Sequence, residues 1–152
     1  MRKLAIAIDG PAGAGKSSVA KILAANMGYA YLDTGAMYRA VTYEVLRRGL
    51  TKEKDIVALA AGMDMTVKPE ADAMHVVVNG HDVTDHIRTP EVSARVSAVS
   101  ALAGVRAAMV EIQRRQAAKG GIVLDGRDIG TTVLPHADVK IFLYIRMRKH
   151  CR

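Results

Sequence analysis

The sequence predicts an α/β protein in which helices cover both faces of a parallel sheet. Short continuous apolar runs alternate with longer helical patterns along the 152 residues, which is typical of strands buried on both faces of a sheet. A glycine-rich stretch joins the first apolar run to the first helical pattern. Between residues 63 and 90 the pattern changes to short strand-like runs separated by turn residues. We therefore expect a single domain that carries a small antiparallel β-rich insert at residues 63–90.

The first half of the chain alternates strand and helix patterns closely. The predicted elements are, in order, a strand at residues 4–8, a helix at 17–27, a strand at 29–32 and helices at 36–48 and 54–61. Gly28 and Gly49 directly follow the first two helical patterns, where glycine commonly ends a helix because it adopts the left-handed conformation without strain. Within the insert, the strand-like runs are MTV, HVVVNG and HDV.

The second half returns to helices and buried strands. The predicted elements are helices at residues 91–102 and 105–119 and strands at 122–124 and 139–145. Gly104 lies between the two helical patterns and is interpreted as a break. Gly120 and Gly121 are expected to end the second helix. The last two strands then complete the parallel sheet.

The amino-acid composition limits the classes of protein to which the sequence can belong. Half of the residues are hydrophobic but only 4% are aromatic, so the core is expected to consist of aliphatic side chains and methionine. No apolar run approaches the roughly 20 residues of a membrane span, and the run at residues 4–8 is too short for a signal peptide. The single Cys151 cannot form an internal disulfide, which fits a reducing compartment. We therefore expect a cytoplasmic monomer without a membrane contact.

The positive charge is concentrated at the end of the sequence. The formal net charge is +7, but the last seven residues, RMRKHCR, carry four bases and no acid, which leaves 18 bases against 15 acids, or +3, in residues 1–145. Aromatic and basic residues do not interleave as they do in proteins that stack single-stranded bases. We expect a solvated tail and no nucleic-acid partner. Binding of nucleic acid by the tail is the less favoured alternative.

The glycine-rich stretch GPAGAGKSS, residues 10–18, matches the phosphate-binding pattern G-x-x-x-x-G-K-[ST] between a strand and a helix. Its glycines allow backbone N–H groups to surround phosphate oxygens, and the helix N-terminus adds a positive end. Lys16 is expected to reach the β- and γ-phosphates of a nucleoside triphosphate and Ser17 to bind Mg²⁺. The residues predicted to bind this triphosphate, which the resemblance described below implies to be ATP, are Gly10, Pro11, Ala12, Gly13, Ala14, Gly15, Lys16, Ser17 and Ser18. The alternative is a glycine-rich turn that ends in Lys-Ser without a ligand.

A second polar segment, GIVLDGRD, follows another apolar strand. Asp125 stands at the end of this strand, where a carboxylate helps to hold Mg²⁺ in proteins with a phosphate loop. An aspartate at this position could instead cap a turn. Arg127 and Asp128 follow in a loop at the carboxyl end of the strand, the edge at which open α/β sheets bind ligands. The sequence therefore predicts a ligand site at this edge.

Four segments follow one another along the chain: AIDGPAGAGKSS, YLDTGAMYRA, VTDHIRTPEVS with the later VR, and LDGRDIGTTVLPHADVKIFL. Together they resemble the bacterial cytidylate kinases, phosphate-loop enzymes that phosphorylate CMP and dCMP. The resemblance runs from Leu4 to about Leu143, and the segment 63–90 resembles the monophosphate-domain insert of the bacterial enzymes. It implies a nucleoside-monophosphate kinase fold, with ATP and Mg²⁺ acting on CMP or dCMP.

The resemblance also implies which residues bind the acceptor nucleotide. By matching position they are Thr34, Arg39, Ser97, Arg106, Arg127 and Asp128. Arginine suits a doubly charged phosphate, and Arg127 matches a phosphate contact of the family. Cytosine donates from its amine and accepts at its carbonyl and ring nitrogen, so Asp128 or Ser97 can accept while Arg106 donates. Uracil would leave some of these groups unpaired.

The resemblance further implies that Lys16, Arg127 and Asp128 are the catalytic residues. No protein nucleophile is expected, because phosphoryl transfer in this class proceeds by positioning and charge neutralisation. Taken singly, the arginines of the acceptor pocket could instead form surface ion pairs, and its hydroxyls could cap helices. The complete set with its spacing favours the pocket.

The sequence departs from the family pattern after KIFL. A family member continues into a helix, an arginine-rich lid, a further strand and a C-terminal helix, whereas YIRMRKHCR follows here. We expect the lid and the C-terminal segment to be absent, with loss of the lid arginines that neutralise the transferred phosphoryl group. Replacement of those arginines by Arg146, Arg148 or Arg152 is less favoured. Two interpretations stay open, an active cytidylate kinase and a non-catalytic nucleotide-binding fragment.

Overall fold

A computed structural model describes residues 2–11, 14–69 and 74–144 of the chain. The helices are α1 (Lys16–Met27), α2 (Thr34–Arg48), α3 (Glu53–Gly62), α4 (Pro90–Ser100) and α5 (Ala103–Ala117). The strands are β1 (Ala5–Asp9), β2 (Ala30–Asp33), β3 (Met65–Pro69), β4 (Met74–Val78), β5 (His81–Asp82), β6 (Ile122–Gly126) and β7 (Val139–Phe142). Short helical turns lie at Thr84–His86 and Ile129–Val133.

Four strands form the main sheet in the order β2-β6-β1-β7, and every neighbouring pair is parallel. All five residues of β6 are buried because this strand lies between β2 and β1 and is covered on both faces. The parallel sheet predicted from continuous apolar runs is confirmed. The order also places β1, the first strand, beside β6 and β7 from the end of the described chain.

Helices pack against both faces of this sheet, as predicted. Successive strand residues point to opposite faces, so β1, β2 and β6 each contribute to two hydrophobic clusters. On one face, Ile8 and Val123 pack with Ala20 of α1. On the other face, Leu32 and Leu124 pack with buried residues of α2, α3 and α5.

The ends of the first two helices have clear local causes. α2 begins at Thr34 because the Asp33 carboxylate accepts the backbone N–H of Ala36 at 3.3 Å, which satisfies a donor of the first turn. Gly28 and Gly49 end α1 and α2 with φ values of 67° and 64°, in the left-handed region expected for them.

The second sheet is antiparallel, with the order β3-β4-β5. Asn79 and Gly80 connect β4 to β5 with φ values of 49° and 84°, which suits a two-residue hairpin whose twist matches the strands. Val76 and Val78 are buried in the same hydrophobic cluster as α2 and α5. The antiparallel strands predicted within residues 63–90 are confirmed.

Most predicted element boundaries differ from the observed ones by one or two residues, and the interpretation of Gly104 and the end of β7 differ as well. Gly104 lies inside α5, and the break between helices falls after Ser100. A Cβ at Gly104 would collide with the side chain of Val57 on α3, so this glycine permits close helix packing, which a sequence pattern does not distinguish from a break. β7 ends at Phe142, earlier than predicted, and residue 145 of the predicted strand lies outside the described residues.

In the described part of the chain, no single helix combines the length and the hydropathy of a membrane span. By length and composition alone, α4 and α5 meet that test only when taken together, and they are bent by 97° relative to each other. Val105 and Met109 of α5 are buried within the protein.

Candidate functional site

The carboxyl ends of three neighbouring strands bring three aspartates to one edge of the main sheet. Asp9 ends β1, Asp33 ends β2, and Asp125 is the fourth residue of β6. Asp33 and Asp125 are direct register partners. Tyr31 and Val123, two residues earlier in each strand, belong to the hydrophobic cluster on the α1 face, so the alternation of strand residues directs both aspartates to that face as well.

The glycine-rich loop leaves β1 at this edge and leads into α1. Gly10 has a φ of 152°, and a Cβ at this position would collide with the backbone carbonyl of Leu143. Only glycine fits both conditions. Gly15, with a φ of 82°, precedes Lys16, the first residue of α1. The structure therefore has the strand, loop and helix order that the phosphate-binding pattern requires.

Lys16 and Asp125 face each other across this edge. The Lys16 Nζ lies 4.0 Å from Asp125 Oδ1, and the two side chains are only 18% and 3% exposed. Burial raises the pKa of Asp125, and the nearby Asp33 raises it further, whereas a hydrogen bond from Tyr31 and the Lys16 charge act in the opposite direction. A buried carboxylate in this setting is stabilised by added positive charge.

Tyr31 connects this carboxylate to the first turn of α1, and it was not predicted from the sequence. Its hydroxyl donates to Asp125 Oδ2 and lies 3.5 Å from Ser17 Oγ. The Lys21 Nζ lies 5.9 Å from the centre of the ring. Burial first and Asp33 second raise the pKa of Tyr31, so its hydroxyl remains a donor. Strand alternation could have indicated this residue, since Tyr31 precedes Asp33 by two positions.

Asp9 fixes the loop that follows β6, and it too was missed. Its buried carboxylate accepts the backbone N–H of Ile129 at Oδ1 and that of Gly130 at Oδ2, each at 2.7 Å. Arg127 and Asp128 immediately precede these two residues in the chain. Asp9 therefore positions the loop that carries two of the predicted acceptor residues.

Arg106 and Asp128, both predicted to lie near the base of the acceptor, are in contact. The Arg106 Nη2 donates to Asp128 Oδ2 at 2.6 Å, and both side chains are partly exposed to solvent. Tyr38 on α2 lies within reach of the same pair: burial raises its pKa, the Arg106 charge lowers it and the Asp128 charge raises it. Residues from α2, α5 and the loop after β6 therefore gather at one place.

Arg39 on α2 reaches toward α4. Its Nη1 donates to the Ile87 carbonyl oxygen at 3.3 Å and to the Ser93 hydroxyl at 2.9 Å. Arg88 approaches the sheet edge from the same region, with its Nη2 3.4 Å from Asp33 Oδ2. One guanidinium group thus contacts α4, and the other contacts the carboxyl end of β2.

The other predicted acceptor residues are less closely gathered. The Thr34 hydroxyl is buried and donates to the backbone carbonyl of Asp125 at 2.8 Å, so it joins α2 to β6. Ser97 is exposed on α4, and Arg127 is exposed in the loop after β6.

The glycine-rich loop is described only in part. Pro11, Ser17 and Ser18 are exposed. Predicted residues that lie outside the described part of the chain are Ala12, Gly13, Arg146, Arg148 and Arg152.

Comparisons with known proteins agree on one family. The sequence model of the family described as cytidylate kinase matches residues 6–152. A cytidylate kinase of Desulfitobacterium hafniense is 51% identical over 99% of this chain and 66% of its own length. Cytidylate kinases of Bacillus licheniformis and Bacillus subtilis are 52% and 50% identical, each over 99% of this chain and 68% of the relative. The chain thus spans about two thirds of the length of these curated relatives.

Proposed function

The chain belongs to the cytidylate kinase family, and we propose that it transfers the γ-phosphoryl group of ATP to CMP or dCMP, giving ADP and CDP or dCDP. The observation that supports this best is the arrangement of two sets of residues at one edge of the sheet. The phosphate loop places Lys16 4.0 Å from Asp125. The loop after β6, held by Asp9, presents Asp128 to Arg106.

We assign the phosphates of ATP to residues 10–18. Gly15 precedes the first turn of α1, where unpaired backbone N–H groups and the helix dipole favour negative charge. The Lys16 ammonium would contact the β- and γ-phosphates. The Lys16 side chain lies beside the buried Asp125 and is largely shielded from solvent, so its ammonium group stays next to the phosphate loop.

We assign a Mg²⁺ ion that accompanies ATP to Ser17 and Asp125. Magnesium prefers oxygen ligands and keeps several waters, so two protein oxygens suffice. The burial of Asp125 next to a cation fits this role, because the carboxylate is stabilised by positive charge. Within the described ranges, no cluster of three or more acidic, histidine or cysteine side chains could hold a metal ion, so phosphate and water oxygens would complete the coordination. The ion would neutralise charge on the phosphates.

We assign CMP to the residues on α2, α4, α5 and the loop after β6. Arg39 and Arg127 would hold its phosphate. Arg39 retains donors because a guanidinium has five N–H groups and the described residues engage only its Nη1. Asp128, Arg106 and Ser97 would contact the base. Thr34 would support this pocket through the hydrogen bond that joins α2 to β6.

The transfer needs no covalent intermediate with the protein. An oxygen of the CMP phosphate attacks the γ-phosphorus in line, the bond from that phosphorus to the β–γ bridging oxygen breaks, and its electron pair leaves with ADP. Lys16, Arg39 and Arg127 would supply positive charge around the three oxygens of the transferred group.

An assay of ADP release tests this proposal. With ATP and Mg²⁺ as donor, we expect turnover with CMP and dCMP and far less with UMP or AMP. Calorimetric titrations of ATP and of CMP on the same chain separate binding from turnover. Binding of both nucleotides without turnover would favour the alternative of a non-catalytic nucleotide-binding fragment. No binding of either nucleotide would contradict both.

We also propose a cytoplasmic monomer that folds as one domain, with residues 63–90 as an insert of the monophosphate-binding region. The shared cluster that contains Val76, Val78 and residues of the main sheet supports the single domain. Size-exclusion chromatography with light scattering tests the monomer.

A further inference from the structure

The hydroxyl of Tyr31 lies between the two side chains that we assign to the magnesium ion. It donates to Asp125 Oδ2, and it lies 3.5 Å from Ser17 Oγ. Asp125 Oδ1, the other carboxylate oxygen, faces Lys16. One phenol therefore touches both halves of the proposed metal site.

The direction of these hydrogen bonds follows from the chemistry of the groups. A phenol has one proton, and the buried carboxylate of Asp125 can only accept, so the Tyr31 proton is directed to Asp125. The Tyr31 oxygen is then left as an acceptor. The Ser17 hydroxyl is the neighbouring group that can donate to it.

The position of the phenol is set by packing. Tyr31 is partly buried against the cluster formed by β1, β6 and α1, and Lys21 lies 5.9 Å from its ring centre, within the range of a cation–π contact. β2 also pairs with β6 in fixed register, so Tyr31 stands beside Val123, two residues before Asp125. The hydroxyl is thus held where both polar groups can reach it.

We propose that Tyr31 is a positioning residue of the magnesium site: its hydroxyl accepts a hydrogen bond from Ser17 and donates one to Asp125 Oδ2, so that the Ser17 oxygen lone pairs and Asp125 Oδ1, beside Lys16, remain available to the ion. This inference rests on the proposed function, since the ion accompanies ATP. Residues that orient metal ligands in this way commonly change metal affinity by about 10-fold to 100-fold.

The test compares Tyr31→Phe with Tyr29→Phe by calorimetric titration of ATP, once with Mg²⁺ and once with EDTA. Tyr29 is the matched control, because it packs in the same hydrophobic cluster and its hydroxyl accepts one hydrogen bond, from the Leu4 N–H at 2.9 Å. The factor by which magnesium strengthens ATP binding, relative to EDTA, is expected to fall about 10-fold or more in Tyr31→Phe. The same factor should stay unchanged in Tyr29→Phe. ATP affinity in EDTA and CMP affinity should match the wild type in both variants.

Three results would overturn parts of this account, and they are distinguishable. If ATP affinity in EDTA is unchanged and magnesium strengthens ATP binding equally in the wild type and in Tyr31→Phe, the positioning role is wrong and the proposed function stands. If Tyr31→Phe weakens ATP binding equally with and without the ion, Tyr31 has only a structural role, which a lower melting temperature would accompany. If the wild type itself gains nothing from magnesium, the proposed donor site fails and the role of Tyr31 fails with it.

Discussion

The guanidinium of Arg106 and the carboxylate of Asp128 form an ion pair at 2.6 Å that joins α5 to the loop after β6. We assign both residues to the same base. Each keeps spare hydrogen-bonding capacity, because the guanidinium has further N–H groups and the carboxylate a second oxygen. The pair can therefore hold its own geometry while it binds the edge of a base, and the two residues are expected to act as a unit.

Asp128→Ala is expected to reduce the discrimination between CMP and UMP by an amount on the order of 1 to 3 kcal/mol. The substitution removes an acceptor for the cytosine amine and releases Arg106 from its partner. Arg39→Ala is the control. Because the phosphate carries no information about the base, the affinities for CMP and UMP should fall by the same factor. Calorimetry measures the affinities of each variant for CMP and UMP. The pocket assignment is wrong if the ratio of CMP to UMP affinity is the same in both variants.

Lys16→Ala is expected to weaken ATP binding about 10-fold to 100-fold, the loss of one or two hydrogen bonds to charged phosphate groups. Lys54→Ala removes the same charge from an exposed position on α3 and should leave ATP affinity unchanged. Both variants should keep the wild-type affinity for CMP. Unchanged ATP affinity in a folded Lys16→Ala protein would count against the phosphate-loop assignment.

Asp9→Ala is expected to destabilise the protein, at about 1 to 3 kcal/mol for each buried amide left without an acceptor. Both amides belong to the loop after β6, so CMP affinity should fall as well, while ATP affinity should change less. Asp138→Ala is a milder control, because its carboxylate accepts the backbone N–H of Ala5 at an exposed position. Urea unfolding and CMP titration measure the two effects, and equal stability losses in the two variants would refute the role given to Asp9.

Gly104→Ala and Gly62→Ala are expected to change stability in opposite directions. A Cβ at Gly104 would collide with Val57 and force α3 and α5 apart, at a cost of about 1 to 3 kcal/mol. A Cβ at Gly62 would meet open space, and alanine is favoured over glycine in a helix by about 0.5 to 1 kcal/mol. Thermal melting of both variants tests this, and a stabilised Gly104→Ala protein would show that the two helices do not pack this closely.

Asp82 is expected to make the stability of the small sheet depend on pH. The pKa of Asp82 is lowered to about 2, first by the Thr84 hydroxyl, then by the Thr84 backbone N–H and by His75. A carboxyl group with a lowered pKa in the folded state contributes stability above its unfolded value of 3.8, and that contribution is lost as the pH falls toward 2. Asp82→Asn should therefore lower the urea midpoint near neutral pH, with a difference that shrinks below about pH 4. The effect will be small because this side chain is 48% exposed.

Asp85→Asn is the control for that experiment. It removes the same formal charge from the next helical turn but leaves the hydrogen bonds from Thr84 to Asp82 intact. If the two variants show the same dependence on pH, the effect comes from net charge and the local explanation is wrong.

Much of the fold could be predicted because its signals are local. A strand covered on both faces is a continuous apolar run, as residues 122–124 are. The spacing of Gly10, Gly15 and Lys16 by itself indicates a loop between a strand and a helix. The same holds for Gly28 and Gly49, where helix termination requires a left-handed residue.

The remaining features depend on contacts between distant parts of the chain. Asp9 acts on a loop 120 residues further along the sequence, so its role appears only when β1 and β6 lie side by side. Gly104 resembles a helix break until α3 is seen to pack against it. Alternation along β2 places Tyr31 on the same face as Asp33, but its contact with Asp125 appears only when β2 and β6 pair in register.

The strand order has a consequence for synthesis on the ribosome. β1 and β2 emerge first, but β1 pairs with β6 and β7, and β2 pairs with β6, which begins only at Ile122. At about 5 to 20 residues per second, translation of the intervening chain takes on the order of ten seconds. During that time the strand that leads into the phosphate loop has no sheet to join, and its apolar residues are available to chaperones. Nucleotide can therefore assist the assembly of this sheet edge only after β6 has been made.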